Sequence, residues 1–188
     1  MRIAISGTQS TGKTTLAEDL ASAIPNARVE PEPFRVLRDR LGLVSGADSM
    51  TPEQELALIR HSAGRLQARR GGETIVYDRC ALDALAHALV AAEAGKPAFT
   101  PEWLDRLRAE ALPALEPLDL LVVVPLEAEL DLIDDGVRST DAGYRGAVDR
   151  MIRDLARTHP GRLEVSGSRT ERIERILEAI DATPRGSR

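Results

Sequence analysis

The residues Gly7-Thr8-Gln9-Ser10-Thr11-Gly12-Lys13-Thr14 satisfy the spacing G-x-x-x-x-G-K-[ST] in full. Each fixed position has a physical reason. The glycines let the backbone wrap closely round a phosphate, so that successive N–H groups point inward. A helix beginning at Lys13 aims the positive end of its dipole at the same place. Lys13 adds a full positive charge at the β/γ-phosphates, and the Thr14 hydroxyl is placed to ligate Mg²⁺. Residues 7–14, with Thr15 beside them, therefore imply the binding of a nucleoside triphosphate. The motif alone leaves the reaction open.

A second chemical group stands at Tyr77-Asp78-Arg79. There Asp78 can hold Mg²⁺ through water or act on an acceptor, and Arg79 can neutralise charge on a transferring phosphoryl group. Guanine-reading switches should carry Asn-Lys-x-Asp after a later strand, and this chain has none. Motor ATPases should end a strand in an acidic pair, where Asp78 is followed by Arg79 instead. An acid followed by arginine fits a small-molecule kinase better.

These groups need elements to hold them. Residues 2–6 are apolar and β-branched and stop at Gly7, which predicts a buried strand. Leu16, Ala17, Leu20 and Ala23 have helical spacing over 13–24, and Pro25 ends the run. Residues 27–30 predict a second strand, leading into a turn at 31–33 and a short helix over 34–41. The segment 43–50 is rich in Gly, Ser and Asp and reads as loop. Thr51-Pro52-Glu53-Gln54 starts a helix, with Thr51 as cap and Gln54 completing a capping box; it runs to about residue 70, before Gly71-Gly72. A strand over 74–77, helices over 81–94 and 100–111, and a nearly all apolar strand over 118–124 follow. Residues 134–143 are polar. A helix over 144–158, a strand over 162–165 and a helix over 170–182 close the chain, with 183–188 as a loose tail.

Strands separated by helices predict one domain over residues 1–182, of class α/β, with a parallel sheet covered by helices on both faces. Such sheets bind ligands at the carboxyl ends of their strands. That gathers the loops 7–14, 30–35, 78–83 and 125–144 on one edge.

The phosphate loop, Val29-Glu30-Pro31, Tyr77-Asp78-Arg79 with Asp83, and Asp134-Asp135-Gly136-Val137-Arg138-Ser139 together resemble the nucleoside/nucleotide-kinase branch of phosphate-loop proteins. Within it the sequence is most similar to the ribosylnicotinamide-kinase-type ATPase domain. The likeness covers nearly the whole chain in element order, and the Asp-Asp-Gly-Val-Arg-Ser run is its most telling part. It implies the three-layer P-loop NTPase fold, with a five-stranded parallel sheet in the order 2-3-1-4-5. It also implies ATP and Mg²⁺ as cofactors and a hydroxyl of a nucleoside or nicotinamide-riboside-like molecule as acceptor. The nucleotidyltransferase domain of bifunctional family members has no room in 188 residues.

The resemblance also implies roles. Glu30 occupies the place of a Glu-Pro pair in which the glutamate approaches the acceptor hydroxyl as general base, and Glu32 is its neighbour and rival. Asp78 is a further rival base or a metal partner with Thr14. Arg35 and Asp83 fall where they can hold substrate, and Phe34 can stack on a ring. Arg138 lies in a predicted lid, where a cation brought in by closure stabilises the transferring group. Arg145 is a second lid candidate. Asp134 and Asp135 can hold substrate hydroxyls or simply form a solvated acidic turn. Cys80, Trp103, Tyr77 and Tyr144 read as packing residues. His61, His87 and His159 are dispersed without ligand spacing. The basic run from Arg65 to Arg70 reads as a solvated helix end complementing the dipole.

The bulk numbers agree with a small enzyme. A net charge of -5 argues against general nucleic-acid binding. The one cysteine excludes an intramolecular disulfide and fits a cytoplasmic setting. No run is long and apolar enough to span a bilayer, so no membrane partner is expected. The oligomeric state stays open, a homodimer included. The competing expectations are a regulatory ATPase acting through a protein partner and a nucleoside-monophosphate kinase, for which Arg35, Arg38 and Arg65 can supply the phosphate site.

Overall fold

The structure, a computed structural model, describes residues 1–43, 50–67, 72–127 and 142–182. Five strands and seven helices alternate: β1 (Arg2–Ser6), α1 (Lys13–Ala23), β2 (Ala27–Glu30), α2 (Pro33–Leu41), α3 (Pro52–Gln67), β3 (Thr74–Asp78), α4 (Ala81–Glu93), α5 (Pro101–Ala111), β4 (Leu120–Val123), α6 (Ala142–Ala156), β5 (Arg162–Glu164) and α7 (Arg169–Ala182). All pairings among these strands are parallel, in the order β2-β3-β1-β4-β5. The expected fold class and strand order are both present.

The alternation of side chains along each strand builds two cores. On one face Ala4, Ile75, Tyr77, Leu121 and Val123 pack under α3, α4, α5 and α6. On the other, Ile3, Ile5, Val76, Leu120 and Val122 pack under α1 and α7. Both faces of the central strands are apolar because neither sees water, the usual state of a parallel sheet. Each large aliphatic side chain so buried contributes about 1.5–3 kcal/mol. Helix α4 carries the most buried surface, with Leu82 and Leu85 fully enclosed.

The strand order sets where a ligand can sit. From β1 the chain moves across β3 to form β2, whereas from β3 it moves to the opposite side to form β4. The crevice opened by that change of direction lies at the carboxyl ends of β1 and β3. The register places Ile5 beside Asp78, so the loops after these two strands emerge together.

Helix ends differ from expectation in small ways. A 3₁₀ turn at Pro113–Leu115 follows α5, and α6 starts at Ala142 and stops at Ala156. Gln54 and Thr51 do exchange the bonds of a capping box. The loop expectations for 44–49 and the tail 183–188, the acids Asp134 and Asp135, the lid residue Arg138, and Arg69 and Arg70 of the basic run lie outside the described residues. Among those that are described, no helix is long and apolar enough to cross a membrane.

One buried group sits uneasily in this core. Glu55 on α3 is 4% exposed, and its Oε2 finds no hydrogen-bond partner among the described residues. Burial pushes its pKa up to about 8, against a smaller opposing pull from Lys96. An acid whose folded pKa is raised costs nothing below its unfolded pKa, and the cost grows until pH passes the folded value. Stability should therefore fall between about pH 4.5 and pH 8. Glu55→Gln should remove that slope: thermal unfolding of the two proteins should agree at pH 5, and the variant should melt several degrees higher, roughly, at pH 8.5.

Candidate active site at the carboxyl edge of the sheet

The phosphate loop leaves β1 with Gly7 at φ 154° and enters α1 through Gly12 at φ 79°. A Cβ at Gly7 would stand 2.4 Å from the Val124 carbonyl oxygen, so the close approach of β4 requires glycine there. Between them Thr8 and Thr11 are buried and Ser10 adopts a positive φ of 59°.

Four of the loop's carbonyl oxygens each accept a hydrogen bond from a cation. Arg79 Nη1 donates to Gly7 O at 3.0 Å, Lys13 Nζ to Thr8 O, Arg145 Nη2 to Gln9 O at 3.1 Å, and Arg172 Nη1 to Thr11 O at 2.9 Å. Drawing the carbonyls outward leaves the first-turn N–H groups of α1, which have no intrahelical partner, for an anion. Lys13 is 5% exposed, and burial together with the charge of Arg79 lowers its pKa to about 7, the carboxylates Asp83, Asp78 and Glu32 opposing. A phosphate bound in the loop would favour its charged form again.

Thr14 Oγ1 donates to Asp78 Oδ2 at 2.7 Å, with Asp78 2% exposed at the end of β3. A hydroxyl and a carboxylate so paired beside a triphosphate loop are the hard oxygen donors that suit Mg²⁺. The donor set thus fits the expected cation, and the loop fits the expected nucleotide. Thr15, grouped with them from the sequence, is exposed on α1.

Arg79 is the centre of a second charged group beside the loop. Its Nε reaches Glu32 Oε1 at 2.7 Å and its Nη1 reaches Asp83 Oδ1 at 2.9 Å. Its own backbone sits at φ 67°, a conformation that costs a non-glycine residue on the order of 1–3 kcal/mol and persists only where surroundings enforce it. Burial opposes its charge, but Glu32, Asp83 and Asp78 prevail and raise its pKa. The same pairing acts on Glu32: burial pushes its carboxyl up, and Arg79, Lys13 and Arg35 outweigh that and hold it below the ordinary range. Glu30 has different partners. It pairs with Arg28 two residues back, on the face of Tyr77, and its charge acts on Arg65 and His61, whereas it is Glu32 whose charge acts on Lys13. The structure therefore separates the two glutamates that sequence left as rivals.

Asp83 was expected at the substrate. Instead, Oδ2 accepts from Ser6 Oγ at 2.8 Å and from Cys80 N at 3.0 Å, while Oδ1 takes Gly7 N at 3.3 Å and Arg79. With Cys80 it forms the capping box of α4. Cys80 is buried, and its thiol pKa is raised by that burial, consistent with a packing role. Arg35 is more than half exposed and pairs with Glu32 at 3.1 Å. Phe34 packs partly against the core at the start of α2.

Sequence reasoning missed Arg172 and the pairing of His87, and it named Arg65 only as a candidate phosphate ligand or as part of a solvated helix end. Arg172 on α7 holds Thr11 O, Gly167 O at 2.9 Å and Glu127 Oε1 at 2.7 Å. Arg65 reaches inward from α3 to Pro31 O and Arg79 O. His87, one turn beyond Asp83 on α4, meets the Tyr144 hydroxyl at 2.7 Å, and burial with the charge of Arg79 lowers its pKa to about 4. None has a local motif. Only the expected strand-end geometry pointed to this neighbourhood.

Asp83→Ala should therefore act on stability before it acts on any ligand. Unpairing Arg79, Ser6 and the α4 cap should cost about 3 kcal/mol in urea unfolding. A loss below about 0.5 kcal/mol, the range of neutral surface changes, would contradict that role.

Comparison with known proteins agrees with this geometry. No curated protein matches the chain in sequence. The NadR protein solved in complex with NR superposes with a TM-score of 0.73 at 19% identity, over 99% of this chain and 52% of that one. The chain thus spans about half the length of NadR. A deoxyadenosine kinase from M. mycoides with bound dATP gives a TM-score of 0.73 at 15% identity, over 96% and 99% of the two chains. The thymidylate kinase of Candida albicans gives 0.69 at 14% identity, over 96% and 91%. At these identities the likeness establishes the P-loop kinase-like fold. The AAA domain family model matches residues 2–172, and with the loop, strand order and site described above the chain belongs to that family of P-loop proteins.

Proposed function

We propose that the protein is an ATP- and Mg²⁺-dependent kinase that phosphorylates a hydroxyl of a small acceptor, a nucleoside or a nicotinamide-riboside-like glycoside. The observation that carries this reading is the half-buried Glu32–Arg79 pair at the crevice, with the charge of Glu32 acting on Lys13. A kinase needs a carboxylate beside the transferring phosphate to orient the hydroxyl that attacks. The fold shared with the nucleoside and nucleotide kinases above supports the same class.

In this reading residues 7–14 and Lys13 hold the β- and γ-phosphates of ATP. Thr14 and Asp78 would hold Mg²⁺, which would supply charge neutralisation at the phosphates. Glu32, kept ionised by its cations, accepts the hydrogen bond of the acceptor hydroxyl and then its proton. Arg79, charged throughout, exchanges part of its contact with Glu32 for the equatorial oxygens of the transferring group. Transfer is direct and in line, with no covalent enzyme intermediate. Arg138 remains the proposed lid cation. Arg35 pairs with Glu32, Arg38 with Asp39 and Arg65 with backbone carbonyls, so a phosphorylated acceptor would have to displace these contacts.

The test is an acceptor screen beginning with nicotinamide riboside and the common nucleosides, read by mass spectrometry of the phosphorylated product. Lys13→Ala should lower kcat by at least about 10²-fold. Glu32→Gln should lower it by about 10²–10⁴-fold while Glu30→Gln stays within about threefold of the parent. Slow ATP hydrolysis indifferent to every acceptor, or Glu30→Gln proving the more damaging change, would refute the assignment.

A further inference from the structure

Arg65 breaks away from the basic run in which it stands. Its neighbour Gln67 is exposed, yet its own guanidinium turns in against the sheet, 5.4 Å from the centre of the Tyr77 ring. Nη1 donates to Pro31 O at 2.6 Å and Nη2 donates to Arg79 O at 3.1 Å. Nε is buried with no partner among the described residues. The position of the helix is itself tied to β3, since the Tyr77 hydroxyl donates to Arg65 O at 3.4 Å.

We propose that Arg65 is a positioning residue: its guanidinium fork fastens the loop after β2 to the loop after β3 and so sets the distance between Glu32 and Arg79. The two acceptors make the case. Pro31 O belongs to the peptide that leads into Glu32, and Arg79 O belongs to the residue at the other end of the ion pair. The two loops are joined across the crevice by one rigid, planar group, whose donors have a fixed separation. Both acceptors are neutral carbonyls, which a planar fork can span, while Glu30 and Asp78 balance its charge from nearby. Arg79 also needs such support, because its positive φ leaves its backbone ready to relax. One bond holds its N–H to Ile5 O at 3.0 Å, and Arg65 holds its carbonyl.

Lysine cannot replace this group, since an ammonium is a single point and cannot hold two carbonyls at a fixed spacing. The catalytic consequence rests on the kinase reading above, whereas the fastening itself does not. The two are therefore measured separately.

The first measurement is made on the free protein. The Nε–H resonance of Arg79, assigned by its loss in Arg79→Lys, reports the bond to Glu32. In Arg65→Met and in Arg65→Lys it should shift toward the position of free arginine and exchange faster with water. Arg60→Met removes a charge from the exposed side of the same helix and should leave it in place. The second measurement is kinetic. Arg65→Met should lower kcat by about 10- to 100-fold with KM for ATP within about twofold, the pattern of a lost transition-state interaction. In an Arg79→Met background the same change should cost less than about threefold, because residues acting through one another do not add. An Arg79 Nε–H resonance unmoved in both Arg65 variants overturns the proposal, and so do kcat losses that multiply in the double variant. A parent protein that phosphorylates no acceptor would sink the kinase reading and leave the resonance to decide the fastening.

Discussion

The carboxylate of Asp83 ties together the segments on which everything else depends. Its two oxygens receive the Ser6 hydroxyl at the end of β1, the Gly7 N–H at the start of the phosphate loop, the Cys80 N–H at the head of α4 and the guanidinium of Arg79. A single buried acid thus fixes where the triphosphate loop begins and where the arginine after β3 must lie. Buried charge is costly unless it is paired and fully hydrogen-bonded, and here both conditions are met. The acid stands on the best-packed helix of the domain, so the anchor is as rigid as the core beneath it.

From that anchor the charges spread in a consistent order. Arg79 is shared between Asp83 and Glu32, so it holds the Glu32 carboxylate ionised and is held charged in return. Lys13, Arg145 and Arg172 with Arg79 surround the loop from four different helices and turns, each taking one of its carbonyls. The result is a loop ringed by four cations in a chain whose net charge is -5. The bulk charge says nothing about this local arrangement, because a field inside a crevice is set by the few charges that line it.

The order of the strands explains why these groups meet. Side chains at the ends of β1, β2 and β3, and at the starts of α1, α2 and α4, have no reason to converge on the basis of sequence separation. They converge because parallel strands point the same way, so that every strand-to-helix loop emerges on one edge. Arg65 and Arg172 come to the same edge from the helices packed on opposite faces of the sheet, and each grips loop backbone, not a side chain alone.

What the sequence by itself determined was the donor half of the site and the frame around it. Residues 7–14 carry their chemistry in their spacing, because a phosphate loop is local: its glycines, lysine and threonine act within one turn of chain. The strands and helices were legible for the same reason, since periodicity and caps are local properties. What only the tertiary structure decided was how the charged residues pair. Glu30 and Glu32 differ by a single residue beyond one proline, and their fates depend on which of them meets Arg79, a contact made across 47 positions of chain. Asp83 looks in sequence like a substrate-holding residue, and its four partners come from two segments, 6–7 and 79–80. Arg65 looks like part of a solvated basic end until α3 is laid against the sheet. Ion pairs and backbone contacts of this kind leave no periodic trace, because their partners are brought together by the fold and not by the spacing of the chain.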